Sequence, residues 1–166
     1  MKKLVLLVLL VAAESSFGSQ PPSTPSPGSH ESQDSVSELH DFWSQYQQAV
    51  KKKDTNKLLE SYLSETIPVI GGIAPKSYAV ISAANKQAIP RFLVSTGKEN
   101  TAGEVKLPPD VTTNLQIQTD GEVGTLSWDY SASVGHGRIA WTVVRTNDGW
   151  KIASIVYSLN VPAADK

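Results

Sequence analysis

The chain contains no cysteine in its 166 residues. Disulfides, thiolate nucleophiles and the lipid-anchored form of an exported protein are thereby excluded. Its three histidines, His30, His40 and His136, are too scattered to make a metal-ligating spacing. No glycine-rich phosphate loop is present, and no segment repeats. Acidic and basic side chains nearly balance, 16 against 15, so nothing attracts nucleic acid or an anionic membrane. Lys51-Lys-Lys53 is the only basic run, placed where a helix should end and its dipole favours cations.

Long apolar runs are scarce too. Leu4 to Ala13, ten residues behind Met1-Lys-Lys3, is too short to span a bilayer on its own. With Ser16-Phe-Gly18 as a small-residue cleavage site, residues 1–18 read as a secretory signal peptide, with an uncleaved N-terminal anchor as the alternative. Losing Lys2, Lys3 and Glu14 leaves a mature net charge of −2. The expected location is secreted or periplasmic, with no stable membrane anchor after cleavage. Residues 19–34, dominated by proline and serine, read as a disordered spacer. Residues 35–161 then form one domain, and 162–166 a tail.

Ser35 and Glu38 form a capping-box pattern. Val36, Leu39, Trp43, Tyr46 and Val50, widened by Phe42 and Ala49, mark one face of a helix running to about Lys53. Asp54 or Thr55 can cap a second helix that buries Leu58, Leu59, Tyr62 and Leu63. In residues 67–112 the signals conflict. Ile67 to Ile70 suggests a short strand, and Tyr78 to Ile81 a strand or the approach to a helix. Ala83 to Ser95 suggests a third helix containing Pro90, and Gly97 to Asp110 a polar loop.

From Val111 the pattern alternates. Asp120-Gly121 marks a two-residue hairpin turn pairing Thr119 with Glu122, Ile117 with Gly124 and Leu115 with Leu126. A six-residue loop, Ala132 to Gly137, leads to a last hairpin around Asn147-Asp-Gly149. A three-residue turn with Gly149 left-handed pairs Thr146 with Trp150, Val143 with Ala153, Trp141 with Ile155 and Ile139 with Tyr157. The core face is then Leu115, Ile117, Leu126, Trp128, Tyr130, Ile139, Trp141, Val143, Ile155, Tyr157 and Leu159. The opposite face carries Val144, Trp150, Ile152 and Val156 among Thr142 and Ser154, which suggests a homodimer contact.

Two helices followed by a C-terminal meander ending in Asp148-Gly-Trp-Lys-Ile152 and Tyr157-Ser158 resemble the nuclear transport factor 2-like superfamily. The nearest likeness is to its secreted SnoaL-like, ketosteroid-isomerase-like branch. The resemblance implies an α+β cone, a curved antiparallel sheet packed on two or three N-terminal helices, with a pocket between them and often a homodimer. It covers residues 35–160 and is specific for fold rather than function. Cofactor-free isomerases, dehydratases and polyketide cyclases share the fold with non-catalytic binding and assembly domains.

For catalysis of the isomerase kind the candidates are Asp129 as proton shuttle with Tyr130 or Tyr157 as oxyanion donors. Asp129 is expected on the non-core face beside Arg138, and the tyrosines have ordinary core roles as alternatives. A histidine–carboxylate pair would need His136 or His40. The expected ligand pocket is lined by Trp43, Tyr46, Tyr62, Trp128, Tyr130, Trp141 and Tyr157, with no metal and no cofactor. Non-enzymatic binding of a small apolar or amphipathic ligand, or an assembly role, is the first reading and small-molecule catalysis the alternative. A carboxylate or histidine pointing into the enclosed cavity would separate them.

Overall fold

The computed structural model describes residues 28–161, with side chains from Gln33 onward. The expected signal peptide, most of the spacer and the tail lie outside the described residues. Among them, four helices and six strands follow in the order α1 (Gly28–Lys52), α2 (Thr55–Glu60), β1 (Pro68–Ile73), α3 (Pro75–Ala84), β2 (Phe92–Thr96), α4 (Gly97–Glu104), β3 (Val111–Thr119), β4 (Val123–Ala132), β5 (Gly135–Thr146) and β6 (Gly149–Leu159). The strands form one curved, open mixed sheet in the order β2-β1-β6-β5-β4-β3. β1 runs parallel to β6 and the other pairings are antiparallel.

Helix α1 begins at Gly28, so Ser35 is not its cap; Ser35 lies buried inside the helix. The polar stretch before it joins the helix because nothing there breaks one after Pro27. Leu39, Tyr46, Ala49 and Val50 are buried at the expected spacing, and Lys51 and Lys52 occupy the last turn. Asp54 caps α2 by accepting from the Lys57 amide at 3.1 Å. Leu58 and Tyr62 are buried there, but Leu63 is 53% exposed. α2 has ended by Ser61, and the chain crosses to the sheet instead, where Ser61 and Leu63 bond the backbone of Ile152.

The middle of the chain corrects the sequence reading. Pro75 starts α3, where its missing amide costs nothing. The expected helix over Ala83–Ser95 is absent: Phe92 to Thr96 pairs with β1 as an edge strand, as Phe92, Val94 and Thr96 favour. The expected loop Gly97–Asp110 contains α4, opened by a capping box between Thr96 and Glu99.

Register also departs near both hairpin tips. β5 and β6 pair as expected from Ile139–Tyr157 to Thr142–Ser154; a bulge at Ala153 then shifts the ladder, giving Val143–Ile152, Arg145–Trp150 and Thr146–Gly149. Trp150 and Ile152 consequently turn inward, 6% and 0% exposed, and leave the expected dimer face. That face keeps only Val144 and Val156 of its four apolar members. In β3–β4 the pairing is Thr119–Gly124 and Ile117–Leu126, offset by two from expectation, and a bulge between Thr113 and Gln116 reduces the offset to one, giving Thr113–Asp129 and Val111–Ser131. A shift of two preserves the faces, so Leu126, Trp128 and Tyr130 still point to the core. The β4–β5 turn is tighter than the expected loop, since Ala132 pairs directly with Gly135.

Candidate functional site

Between the inner sheet face, α1 and α4 lies a cavity of about 320 Å³. Its apolar wall comes from Val50, Trp128, Ile139, Trp141, Ile155 and Leu159, and its rim from the segment Leu107-Pro-Pro-Asp110. Trp128 and Trp141 meet edge to face with centroids 4.7 Å apart, and Tyr46 abuts Trp141 at 4.6 Å. These rings are placed by strand alternation and by the inward stripe of α1.

The polar wall is built by α4. Its last residue, Glu104, accepts a 2.7 Å hydrogen bond from the Tyr46 hydroxyl and a 3.3 Å one from Asn100 Nδ2. Behind them, Tyr62 contacts the Tyr46 hydroxyl at 3.3 Å and accepts from Asn100 and Thr101. Since Tyr46 gives its proton to Glu104, Tyr62 is the donor to Tyr46, and the hydroxyls form a chain aimed at the carboxylate. Burial pushes the Glu104 carboxyl up to about 7; the charge of Asp110 adds to this, while the bonds from Tyr46 and Asn100 oppose it. Its seat at a helix C-terminus disfavours negative charge as well. Burial likewise raises Asp110 on the rim and lifts the Tyr46 hydroxyl well above its ordinary range.

Of the residues read from sequence, Tyr46, Trp128, Tyr130, Trp141 and Tyr157 line the cavity. Trp43 does not, because it packs edge-on against Trp128, with centroids 6.1 Å apart. Tyr62 does not either: it stands behind Tyr46 as a hydrogen-bonding support. Tyr130 donates to the Ser158 carbonyl at 3.0 Å, and burial, then the nearby Tyr157 and Asp110, push it up to about 12. Tyr157 lies over Gly71, where an added methyl would sit 2.3 Å from the phenol ring.

Asp129 is on the outer sheet face, accepting from Asn114 at 2.7 Å and paired with Arg138 at 3.1 Å, both of which hold its carboxyl below the ordinary range. It is separated from Tyr130 and Tyr157 by the sheet itself. His136 borders an outer groove with Asp129 and Arg138, and His40 is exposed on α1. Neither reaches the cavity. Among the described residues, no cluster of histidine and carboxylate side chains could hold a metal ion, and no helix is long and apolar enough to cross a membrane.

Sequence reasoning missed Glu104, Asn100 and Asp110. Thr96-Gly-Lys-Glu99 carried the capping-box signal for α4, and an eight-residue helix from there ends on Glu104.

No protein-family model and no curated protein matches the chain. Solved structures do. A nuclear transport factor 2-like protein of unknown function from Silicibacter pomeroyi superposes with a TM-score of 0.59 at 13% identity, over 77% of this chain and 98% of that one. Another from Shewanella baltica gives 0.58 at 12%, over 78% and 96%. A provisionally named dehydratase of that family from Streptomyces avermitilis gives 0.54 at 11%, over 79% and 99%. Likeness at this identity establishes the fold.

Proposed function

We propose, on the nuclear transport factor 2-like fold that the chain adopts, that the cavity is the functional site and binds a small amphipathic molecule. The observation carrying this is an aromatic-walled cavity of about 320 Å³ whose polar end is Glu104, held by Tyr46 and Asn100. Ligand sites are typically concave, mostly apolar, and fixed in orientation by a few placed polar groups. Glu104 would receive the polar end of the ligand and the tryptophans its apolar body. The test is titration with N-phenyl-1-naphthylamine, a neutral apolar dye, followed by its fluorescence. One dye per chain should bind, and Ala132→Trp, which fills the cavity from its wall, should abolish binding while circular dichroism stays native. Undiminished binding in that variant would remove the cavity from the function.

Glu104 also favours a second reading, since a carboxyl near 7 inside a cavity is suited to proton transfer at neutral pH. This moves the catalytic role of the isomerase or dehydratase reading from Asp129 to Glu104. The binding reading has the better support because enolate chemistry needs hydroxyl donors facing the substrate. Tyr46 spends its proton on Glu104 and Tyr130 on Ser158, which leaves the Tyr157 hydroxyl as a single tyrosine donor in the cavity where a donor pair is needed. Deuterium exchange into a small cyclic ketone in D2O, lost in Glu104→Gln, would establish the second reading; no exchange above the buffer rate would exclude it for that class.

A further inference from the structure

We propose that the ligand of this cavity is an organic cation, an amine or quaternary ammonium on a small apolar body, held by Glu104 and Asp110 within the ring of aromatic side chains. The inference rests on the cavity being the functional site and adds the charge of what enters it.

Every charged residue lining the cavity is acidic: Glu104 on the wall, Asp110 and Glu99 at its edge. Among the described residues no lysine, arginine or histidine lines it. Glu104 meets only neutral partners, Tyr46 from α1 and Asn100 from its own helix, and neither it nor Asp110 has an ion pair among the described residues. The other charge felt at Glu104 is that of Asp110, from the segment entering β3. Buried carboxylates normally carry a cationic partner, because an unpaired one is strongly penalised. Among the described residues no such partner faces Glu104, whose carboxyl is held toward its protonated form instead, and the space a cation would fill is the cavity.

The walls complete the argument. Tyr46, Trp128, Tyr130, Trp141 and Tyr157 surround the space with electron-rich rings, the environment that recognises ammonium groups through cation–π attraction. An anionic ligand would meet the carboxylates of Glu104 and Asp110 and, among the described residues, no counter-charge. A purely neutral ligand would leave Glu104 and Asp110 without a counter-charge, which a cation supplies.

The experiment compares matched probes on the full chain without its first 18 residues, at pH 8 and low salt, by calorimetry and tryptophan fluorescence. Benzyltrimethylammonium is the cation, neopentylbenzene its uncharged carbon isostere, and 3-phenylpropionate the anion. The cation should bind at least tenfold tighter than the isostere, and the anion should not bind. Glu104→Gln and Asp110→Asn should each bring that ratio below threefold, while Glu122→Gln at a hairpin tip leaves it intact. Between pH 8 and pH 6 the cation should weaken several-fold as Glu104 takes up its proton, while the isostere holds steady. An isostere that binds as tightly as the cation overturns the charge inference and leaves the cavity reading standing. Failure of all three probes together with the neutral dye overturns both.

Discussion

The Tyr46 hydroxyl donates a 2.7 Å hydrogen bond to Oε2 of Glu104, joining α1 to the end of α4 across 58 positions of sequence. The bond is charge-assisted when Glu104 is ionised, which burial resists. Two opposed effects therefore meet on one carboxyl, and burial wins, since the group is raised rather than lowered.

That balance makes stability depend on pH. A carboxyl raised from the ordinary 4.5 to about 7 binds its proton more tightly in the folded chain than in the unfolded one. Its contribution is fully present below pH 4.5 and is lost as pH rises to about 7, by roughly 3 kcal/mol. Urea denaturation of wild type and Glu104→Gln should therefore show a gap that changes in the variant's favour by about that amount between pH 4.5 and pH 8. Tyr46→Phe removes a bond that favours the charged form and should move the midpoint upward. A gap that does not change with pH would place Glu104 in solvent.

The helical stripe from Leu39 to Val50 and the inward alternation of β4 were readable from sequence because each is a local period. Glu104 was not, since its burial arises only when α4 folds beneath α1 and Asp110 closes from the other side. Trp150 and Ile152 were assigned to the wrong face for a related reason. One extra residue, Ala153, reverses the alternation of the chain before it, and no composition signal marks it. The edge strand β2 was hidden by Pro90 and by a preceding alanine-rich stretch that favours helix.

Two glycines permit close approach of different kinds. A methyl at Gly71 would meet the phenol of Tyr157 at 2.3 Å, while one at Gly137 would meet the Ser158 carbonyl oxygen at 1.9 Å. A side chain can be removed; backbone cannot. Gly71→Ala should cost about 1–3 kcal/mol and be largely rescued by Tyr157→Ala, as a double-mutant cycle would show. Gly137→Ala should cost more and gain nothing from Ser158→Ala. Rescue of both, or of neither, contradicts the packing.

Trp141 is 2% exposed and touches Phe42, Tyr46 and Trp128. Trp141→Ala should cost about 3–5 kcal/mol by chemical denaturation, as loss of a buried large aromatic does. Among the described residues Glu122, at a hairpin tip, hydrogen-bonds through its backbone alone, so Glu122→Ala should cost less than about 0.5 kcal/mol. Equal costs would mean that the inner sheet face has been assigned wrongly.

The bulge gives the sharpest test of register. Ala153 is unpaired between Thr142–Ser154 and Val143–Ile152. Deleting it makes those pairs consecutive and moves no side chain across the sheet, so Trp150 and Ile152 stay inside. Deleting Lys151 instead leaves the bulge and turns Trp150 outward, away from Glu38, whose carboxylate accepts from its indole at 3.1 Å, and from beneath Arg145, 4.9 Å above the ring. The first deletion should cost less than about 2 kcal/mol, and the second at least about 3 kcal/mol, the scale of losing a buried tryptophan. Trp150 fluorescence, isolated in a background where Trp43, Trp128 and Trp141 are phenylalanine, should stay blue-shifted in the first variant and shift red in the second. The reverse ranking would mean that Ala153 is not the residue that reverses the face.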